Sequence, residues 1–196
     1  MFYQHILIKT NDIQPFSSIL QQGFITKINP GYTLKQLLCN QFGISSDYVQ
    51  TRIKTAFLNQ RPVDNYDTAI VNDQDTLGLS GAMPGLVGAT FRKNSVLSAF
   101  RSHISYSGIS SKKNKKDDAT ITIKLFNFLI KEIGPKFLDK GLLITPGALN
   151  NIFETERSKH NKAAFKGVWV NGKRQLGHPW VNQEDELLFL IIDMEK

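Results

Sequence analysis

Residues 81–88 combine residue types that bind anions with types that form tight turns. The segment holds three glycines and is followed by two arginines, Arg92 and Arg101. Glycine lets backbone N–H groups converge on an anion, and arginine can hold an oxyanion through two hydrogen bonds. The segment is not a P-loop, because Leu86 and Val87 stand where that motif needs lysine and then serine or threonine. The candidate anion- or partner-binding residues are Gly81, Met83, Pro84, Gly85, Gly88, Arg92 and Arg101.

A second interpretation of this segment stays open. Met83, Leu86 and Val87 could instead fill the core, with the glycines allowing the backbone to pass close to other chain segments. In that case the segment is a tight apolar crossover that contacts neither a ligand nor a partner.

The other reactive side chains lack the spacing typical of a catalytic or metal site. The four histidines are His5, His103, His160 and His178. A zinc site needs three or four converging ligands, which neither these histidines nor Cys39 provide. Cys39 shares a predicted helix with Leu38 and Phe42, so we expect it to be a small buried apolar residue rather than a nucleophile. We predict no catalytic residue, no metal and no cofactor.

The formal net charge of +7 does not come from one folded basic face. The dense basic run, residues 112–116, lies within the segment 109–118, whose serines and charged residues, preceded by Gly108, predict an exposed linker. Contact with a polyanion is the alternative, although nucleic-acid binding normally needs charge clustered on a folded face. We therefore expect no nucleic-acid partner.

Composition also bears on the compartment. No stretch approaches the roughly 20 apolar residues that a membrane span requires. The first residues lack the basic and apolar regions of a secretory signal. The single cysteine fits a reducing compartment. We predict a cytoplasmic protein with no membrane contact.

The elements that would position these residues occur twice along the chain. Each copy has a strand, a Pro-Gly pair, a helix, a strand ending in an asparagine turn, an acidic turn and a last strand. Asn59 precedes Asp75 by 16 residues, and Asn171 precedes Asp185 by 14. The predicted domains are 1–108 and 119–196, joined by the linker 109–118.

Local signals place the helices and one hairpin. One predicted helix starts at Thr33 and ends before Gly43; another starts at Pro146 with Thr145 as its N-cap. An additional helix ends near residue 141, and Pro135 predicts either a kink in it or a division into two shorter turns. A short helix covers 96–103. Asn171 and Gly172 predict a two-residue hairpin turn.

These landmarks resemble those of the β-grasp sulfur carriers of thiamine and molybdopterin synthesis. Asn59 and Asp75 match them in the first half, and Asn171, Gly172 and Asp185 match them in the second. The resemblance implies an α+β class and a β-grasp (ubiquitin-like) architecture, duplicated in this chain. The segment 63–90 also resembles a family of uncharacterised bacterial proteins.

The chain departs from the carriers where their chemistry resides. A sulfur carrier acts through the free carboxylate of a Gly-Gly tail, whereas this chain ends in residues 192–196, which lack glycine. In the first half the backbone continues past Met83, Pro84 and Gly85. We therefore expect a non-catalytic accessory protein that binds an unidentified protein partner, and a homodimer is left open.

Two alternatives remain. The first is a divergent sulfur carrier in cofactor biosynthesis that is activated by cleavage near Gly85. The second is an RNA-binding β-grasp module that uses residues 112–116 with Arg92 and Arg101.

Overall fold

The computed structural model describes residues 3–101, 103–108, 119–158, 165–176 and 187–194. The chain divides into two compact units, one formed by Met1–Ile25 with Lys131–Lys196 and the other by Thr26–Ile130. The first unit is thus discontinuous in sequence, unlike the predicted segments 1–108 and 119–196. The predicted linker, 109–118, lies outside the described residues.

The elements of the described residues follow in chain order. The strands are β1 (Gln4–Thr10), β2 (Phe24–Lys27), β3 (Thr55–Leu58), β4 (Arg61–Pro62), β5 (Thr76–Ser80), β6 (Thr120–Leu125), β7 (Leu142–Ile144), β8 (Phe165–Val170), β9 (Lys173–Gln175) and β10 (Leu188–Met194). The α-helices are α1 (Ser17–Gln22), α2 (Leu34–Gln36), α3 (Ser46–Thr51), α4 (Gly85–Phe91), α5 (Leu129–Lys140) and α6 (Pro146–Ser158). A π-helical turn, Leu37–Gln41, continues α2, and Gln14–Phe16 and Val96–Arg101 are 3-10 segments.

The predicted duplicated β-grasp architecture is wrong, although the α+β class is right. The described residues contribute ten strands to a mixed sheet, which is larger than the sheet of a small β-grasp domain. Strand β1 runs parallel to β10 in register from Gln4 opposite Leu188 to Thr10 opposite Met194. Two strands of separate predicted domains are therefore neighbours. Hydrophobic alternation shows that a segment is a strand and which face it buries, but not which distant strand it pairs with.

The first unit has the strand order β7-β10-β1-β8-β9. Ile6 and Ile8 of β1 are buried, and so are Leu149 and Ile152 of α6. The predicted N-cap of α6 is confirmed, because the Thr145 hydroxyl accepts a hydrogen bond from the Ala148 amide at 3.2 Å. The local signals therefore set the helix boundary correctly.

Two further local predictions in this unit are confirmed. Asn171 and Gly172 have φ angles of 48° and 78° and join β8 to β9, as a type I′ turn requires. Helix α5 ends before Gly141, whose φ is 92° and whose amide donates to the carbonyl of Phe137. Pro135 lies inside α5.

The second unit contains the sheet segment β4-β3-β5-β6, in which β3 is antiparallel to β5 and β5 is parallel to β6. One face of this segment is buried, with Leu58, Leu77 and Ile123 all nearly inaccessible to solvent. The predicted helix start at Thr33 is confirmed by a capping box, in which the Thr33 and Gln36 side chains each bind the other residue's backbone amide. The opposite face of these strands carries the candidate site.

Candidate functional site

An apolar groove lies on the outer face of β3, β5 and β6. Phe57, Gly78 and Lys124 stand side by side there, because Phe57 is opposite Gly78 and Gly78 is opposite Lys124. Side chains alternate between faces along a strand, so these three point away from the buried Leu58 and Leu77. The groove has a volume of about 710 Å³.

Gly78 opens the floor of the groove. A Cβ atom at this position would lie 3.6 Å from Cε2 of Phe126 and 3.8 Å from Cβ of Phe57, which are ordinary contact distances. A larger side chain would extend into the space between the two rings. Glycine inside a strand often marks a place where another molecule approaches the backbone closely.

Helix α4 forms one wall of the groove. Met83, Val87 and Gly88 line it together with Phe91, whose ring centroid lies 5.4 Å from that of Phe57. Gly88 must be small, because a Cβ atom there would lie 2.4 Å from the Met83 carbonyl oxygen. The helix is therefore seated closely on the segment that precedes it.

The groove carries few polar groups. Among the described residues that line it, Lys124 is the one charged side chain, and it takes part in no ion pair that the structure describes. Asn127 donates a hydrogen bond to the Ser80 hydroxyl at 3.0 Å and holds that end of the groove. A mostly apolar cleft with a few placed polar groups is the usual character of a binding site.

Exposed apolar side chains continue beyond the groove. Leu86 and Val87 of α4 are 74% and 69% exposed, so the interpretation that placed them in the core is wrong. Val96 and Phe100, in the 3-10 segment after α4, are 93% and 83% exposed. Clustered exposed apolar side chains are typical of surfaces that contact another macromolecule.

The sequence-predicted site residues do not form one cluster. Met83, Pro84 and Gly88 line the groove, and Gly85, with φ of 77°, begins α4. Gly81 is buried, and a Cβ atom there would overlap the ring of Phe128.

The two arginines predicted for the site, Arg92 and Arg101, do not line the groove. Arg101 is 3% exposed, and its guanidinium pairs with both carboxylate oxygens of Asp64, at 2.9 and 2.6 Å. It also donates to the Thr90 carbonyl at 2.7 Å and to the Ser105 hydroxyl at 2.6 Å. Arg101 therefore ties the end of α4 to neighbouring segments of the unit. The Nε of Arg92 is buried without a hydrogen-bond partner in the described part of the chain.

The remaining candidates have ordinary surroundings. Cys39 is half-buried, and burial raises the pKa of its thiol more than the nearby Lys35 ammonium lowers it. The His5 ring packs edge-on against Phe189 with centroids 5.2 Å apart, and His103 is exposed. His160 and His178 lie outside the described residues. No three metal-binding side chains cluster within the part of the chain that the structure describes.

Gly78 and Lys124 were not among the sequence-predicted site residues. A signal for the first was present, since glycine in the interior of a predicted strand costs stability and calls for an explanation. Lys124 gave no signal, because an outward-facing lysine on a strand is common in solvated sheets. Its position in an apolar groove follows from the pairing of β5 with β6.

No family model, curated protein or solved structure matches the chain. The resemblance to sulfur carriers therefore stays a hypothesis carried by short motifs. Within the described ranges, no helix combines the length and apolar character needed to cross a membrane.

Proposed function

We infer that this chain is a non-catalytic accessory protein that binds a protein partner through the groove between α4 and the outer face of β3, β5 and β6. The observation that carries this inference is the apolar groove of about 710 Å³ beside two exposed helix side chains, Leu86 and Val87. Burial of apolar surface is the main driving force for protein association.

The proposed occupant is an apolar segment of the partner that carries an acidic residue. The rings of Phe57, Phe91 and Phe126 give the groove aromatic surfaces for an apolar anchor side chain. Lys124 brings a positive charge to the lining without a paired carboxylate among the described residues. A partner carboxylate would complement that charge and fix the orientation of the segment.

The extent of the apolar surface favours a protein over a small molecule. Val96 and Phe100 lie outside the groove lining, yet both are almost fully exposed. A small ligand would fill the groove and leave these side chains in water. A partner segment that continues past α4 would cover them as well.

The alternatives have less support. Cleavage near Gly85 would cut the chain between β5 and its parallel neighbour β6, which buries Ile121 and Ile123. RNA binding would rest on residues 112–116, which lie outside the described residues, and on Arg101, whose guanidinium is held by Asp64.

A cytoplasmic location is proposed because the chain has a single cysteine, Cys39, which fits a reducing compartment.

The proposal is tested by selecting peptides from a displayed random library for binding to the full chain. We expect enriched peptides to combine apolar residues with aspartate or glutamate. Binding of these peptides should be lost with Gly78→Val, which fills the floor, and weakened with Lys124→Glu. The matched charge reversal Lys131→Glu, on an exposed position of α5 outside the lining, should leave binding unchanged.

Three results would count against the proposal. They are the absence of any enriched peptide, equal enrichment by Gly78→Val, and an enriched motif without acidic residues. Unfolding curves of each variant must match the wild type, so that loss of binding is not loss of fold.

A further inference from the structure

A second pocket in the Thr26–Ile130 unit differs from the groove in chemistry. It has a volume of about 560 Å³, and the side chains that matter here are Lys35, Asn65, Tyr66, Asp67, Lys93 and Asn94. None of these residues lines the apolar groove. The two sites can therefore be tested separately.

The carboxylates at this pocket already have cationic partners. Asp67 accepts a hydrogen bond from the Lys35 ammonium at 2.8 Å. Asp64, which also lines the pocket, is held by both terminal nitrogens of Arg101. Each carboxylate therefore already faces one cation, and Asp67 only partly offsets the effects that lower the pKa of Lys93.

Of the two lysines that line the pocket, Lys93 forms no ion pair within the described residues. Its backbone amide donates to the Lys54 carbonyl at 2.8 Å, which brings the two lysines together. Its ammonium lies 4.2 Å from the centroid of the Tyr66 ring, and the side chain is half-buried. Burial, and then the neighbouring charge of Lys54, lowers the pKa of Lys93. Both effects oppose the charged form, whereas an anion in the pocket would favour it.

Tyr66 keeps the Lys93 side chain in position. The residue is 4% exposed, and its hydroxyl is buried without a hydrogen-bond partner in the described part of the chain. The ring therefore acts as a fixed aromatic surface beneath the ammonium. Lys93 is thereby held at the pocket rather than extended into solvent.

We propose that this pocket binds a small phosphate-bearing molecule, with the phosphate at Lys93 and the polar body against Asn65 and Asn94. Lysine is a common phosphate ligand because it acts as a compact positive charge. The pocket lining holds two lysines and two aspartates, and Lys54 beside Lys93 and Arg101 behind Asp64 add two further positive charges, so a doubly charged anion suits the surroundings better than a singly charged one. The pocket is larger than a phosphate group. The side-chain amides of Asn65 and Asn94 can form hydrogen bonds with hydroxyl groups on the rest of the ligand.

Calorimetric titration of the full chain with three probes tests this proposal. The probes are inorganic phosphate, glucose 6-phosphate and glucose. We expect glucose 6-phosphate to bind, inorganic phosphate to bind more weakly, and glucose not to bind. Tighter binding of inorganic phosphate would instead identify free phosphate as the ligand, with the phosphate site retained.

Substitution locates the binding. Lys93→Met should weaken binding of the phosphorylated probe about tenfold or more, since a hydrogen bond to a charged group is lost. Lys131→Met, a matched change at an exposed position of α5 outside both pockets, should leave it unaltered. The proposal is overturned if neither phosphate probe binds, if glucose binds as well as its phosphate, or if Lys93→Met binds like the wild type. Thermal unfolding of both variants checks that they fold.

Discussion

The side-chain amide of Asn59 donates a hydrogen bond to the Asp75 carboxylate, with Nδ2 2.7 Å from Oδ1. The second oxygen of Asp75 accepts from the Asn72 amide at 2.7 Å, and Asn59 accepts from the Thr76 amide at 2.8 Å. Asp75 is only 8% exposed. These bonds tie the turn after β3 to the start of β5, the two strands that carry Phe57 and Gly78.

Replacing Asn59 should therefore destabilise the protein measurably. Asn59→Ala leaves the buried Asp75 carboxylate without one of its donors, and we expect the free energy of unfolding to fall by about 1–3 kcal/mol. Urea unfolding followed by circular dichroism measures the change. Asn94→Ala is the matched control, because Asn94 is also an exposed asparagine with a positive φ, 56°, and its side chain makes no hydrogen bond within the described residues. Equal losses in both variants would assign the effect to backbone strain.

The spacing of Asn59 and Asp75 marked both residues as landmarks of the repeated pattern, but it did not predict the bond between them. The capping and helix-end signals at Thr33, Thr145 and Gly141 proved correct. Each of these three is a local interaction, formed within a few residues along the chain. Hydrogen bonds between residues close in sequence determine these turns and helix ends, whichever strands pair elsewhere in the fold.

The pairing of distant strands could not be predicted in this way. Asn171 occupies a turn like that of Asn59, but it exchanges hydrogen bonds with the backbone of His5 in the first unit. Its predicted counterpart, Asp185, lies outside the described residues. The similarity of the two halves therefore suggested a duplicated domain, whereas β1 pairs with β10 across the predicted boundary. The groove escaped prediction for the same reason, since Lys124 meets Gly78 only through the pairing of β5 with β6.

Arg101 should be the most sensitive of the predicted site residues in stability measurements. Its side chain is 2% exposed and that of Asp64 is 38% exposed. Arg101→Met removes one partner of this pair and the bond to the Thr90 carbonyl, so we expect a loss of about 2–4 kcal/mol, less than for a fully buried pair because Asp64 remains partly solvated. Denaturant unfolding tests this.

The exposed ion pair of Lys35 with Asp67 gives the contrast. Its side chains are 39% and 65% exposed, so Lys35→Met should change stability little. If Arg101→Met were as mild as Lys35→Met, Arg101 would not anchor the end of α4.

Two glycines at the groove should respond oppositely to alanine. Gly78→Ala adds a methyl group at ordinary contact distance. It also lowers the conformational entropy of the unfolded chain, so the free energy of unfolding should rise by about 0.5–1 kcal/mol. Gly88→Ala forces a methyl group against the Met83 backbone and should lower stability by about 1–3 kcal/mol. Thermal unfolding of the pair compares them directly. A destabilised Gly78→Ala would show that the floor between Phe57 and Phe126 is closed in solution.

Binding of a phosphate-bearing ligand should depend on pH through Lys93. The pKa of Lys93 is lowered by burial and by Lys54 and Lys35, and Asp67 opposes this by raising it. A bound dianion favours the charged ammonium and raises the pKa again. Affinity should therefore be greatest below the lowered pKa and fall as pH rises through it, with uptake of a proton on binding within that window. Calorimetry in two buffers of different ionisation enthalpy, above pH 7.5 so that the probe is mainly a dianion, measures this uptake.

Arginine at position 93 separates the charge of Lys93 from its titration. Lys93→Arg keeps a positive charge at every pH used, because guanidinium does not lose its proton in this range. Its affinity for glucose 6-phosphate should stay level where that of the wild type declines, and proton uptake should vanish. If the affinities of the two proteins for glucose 6-phosphate change with pH in the same way, the titrating group is not Lys93. Lys54 and Lys35 would then be the next residues to replace. A wild-type affinity that does not change with pH would mean that the ammonium of Lys93 does not contact the phosphate.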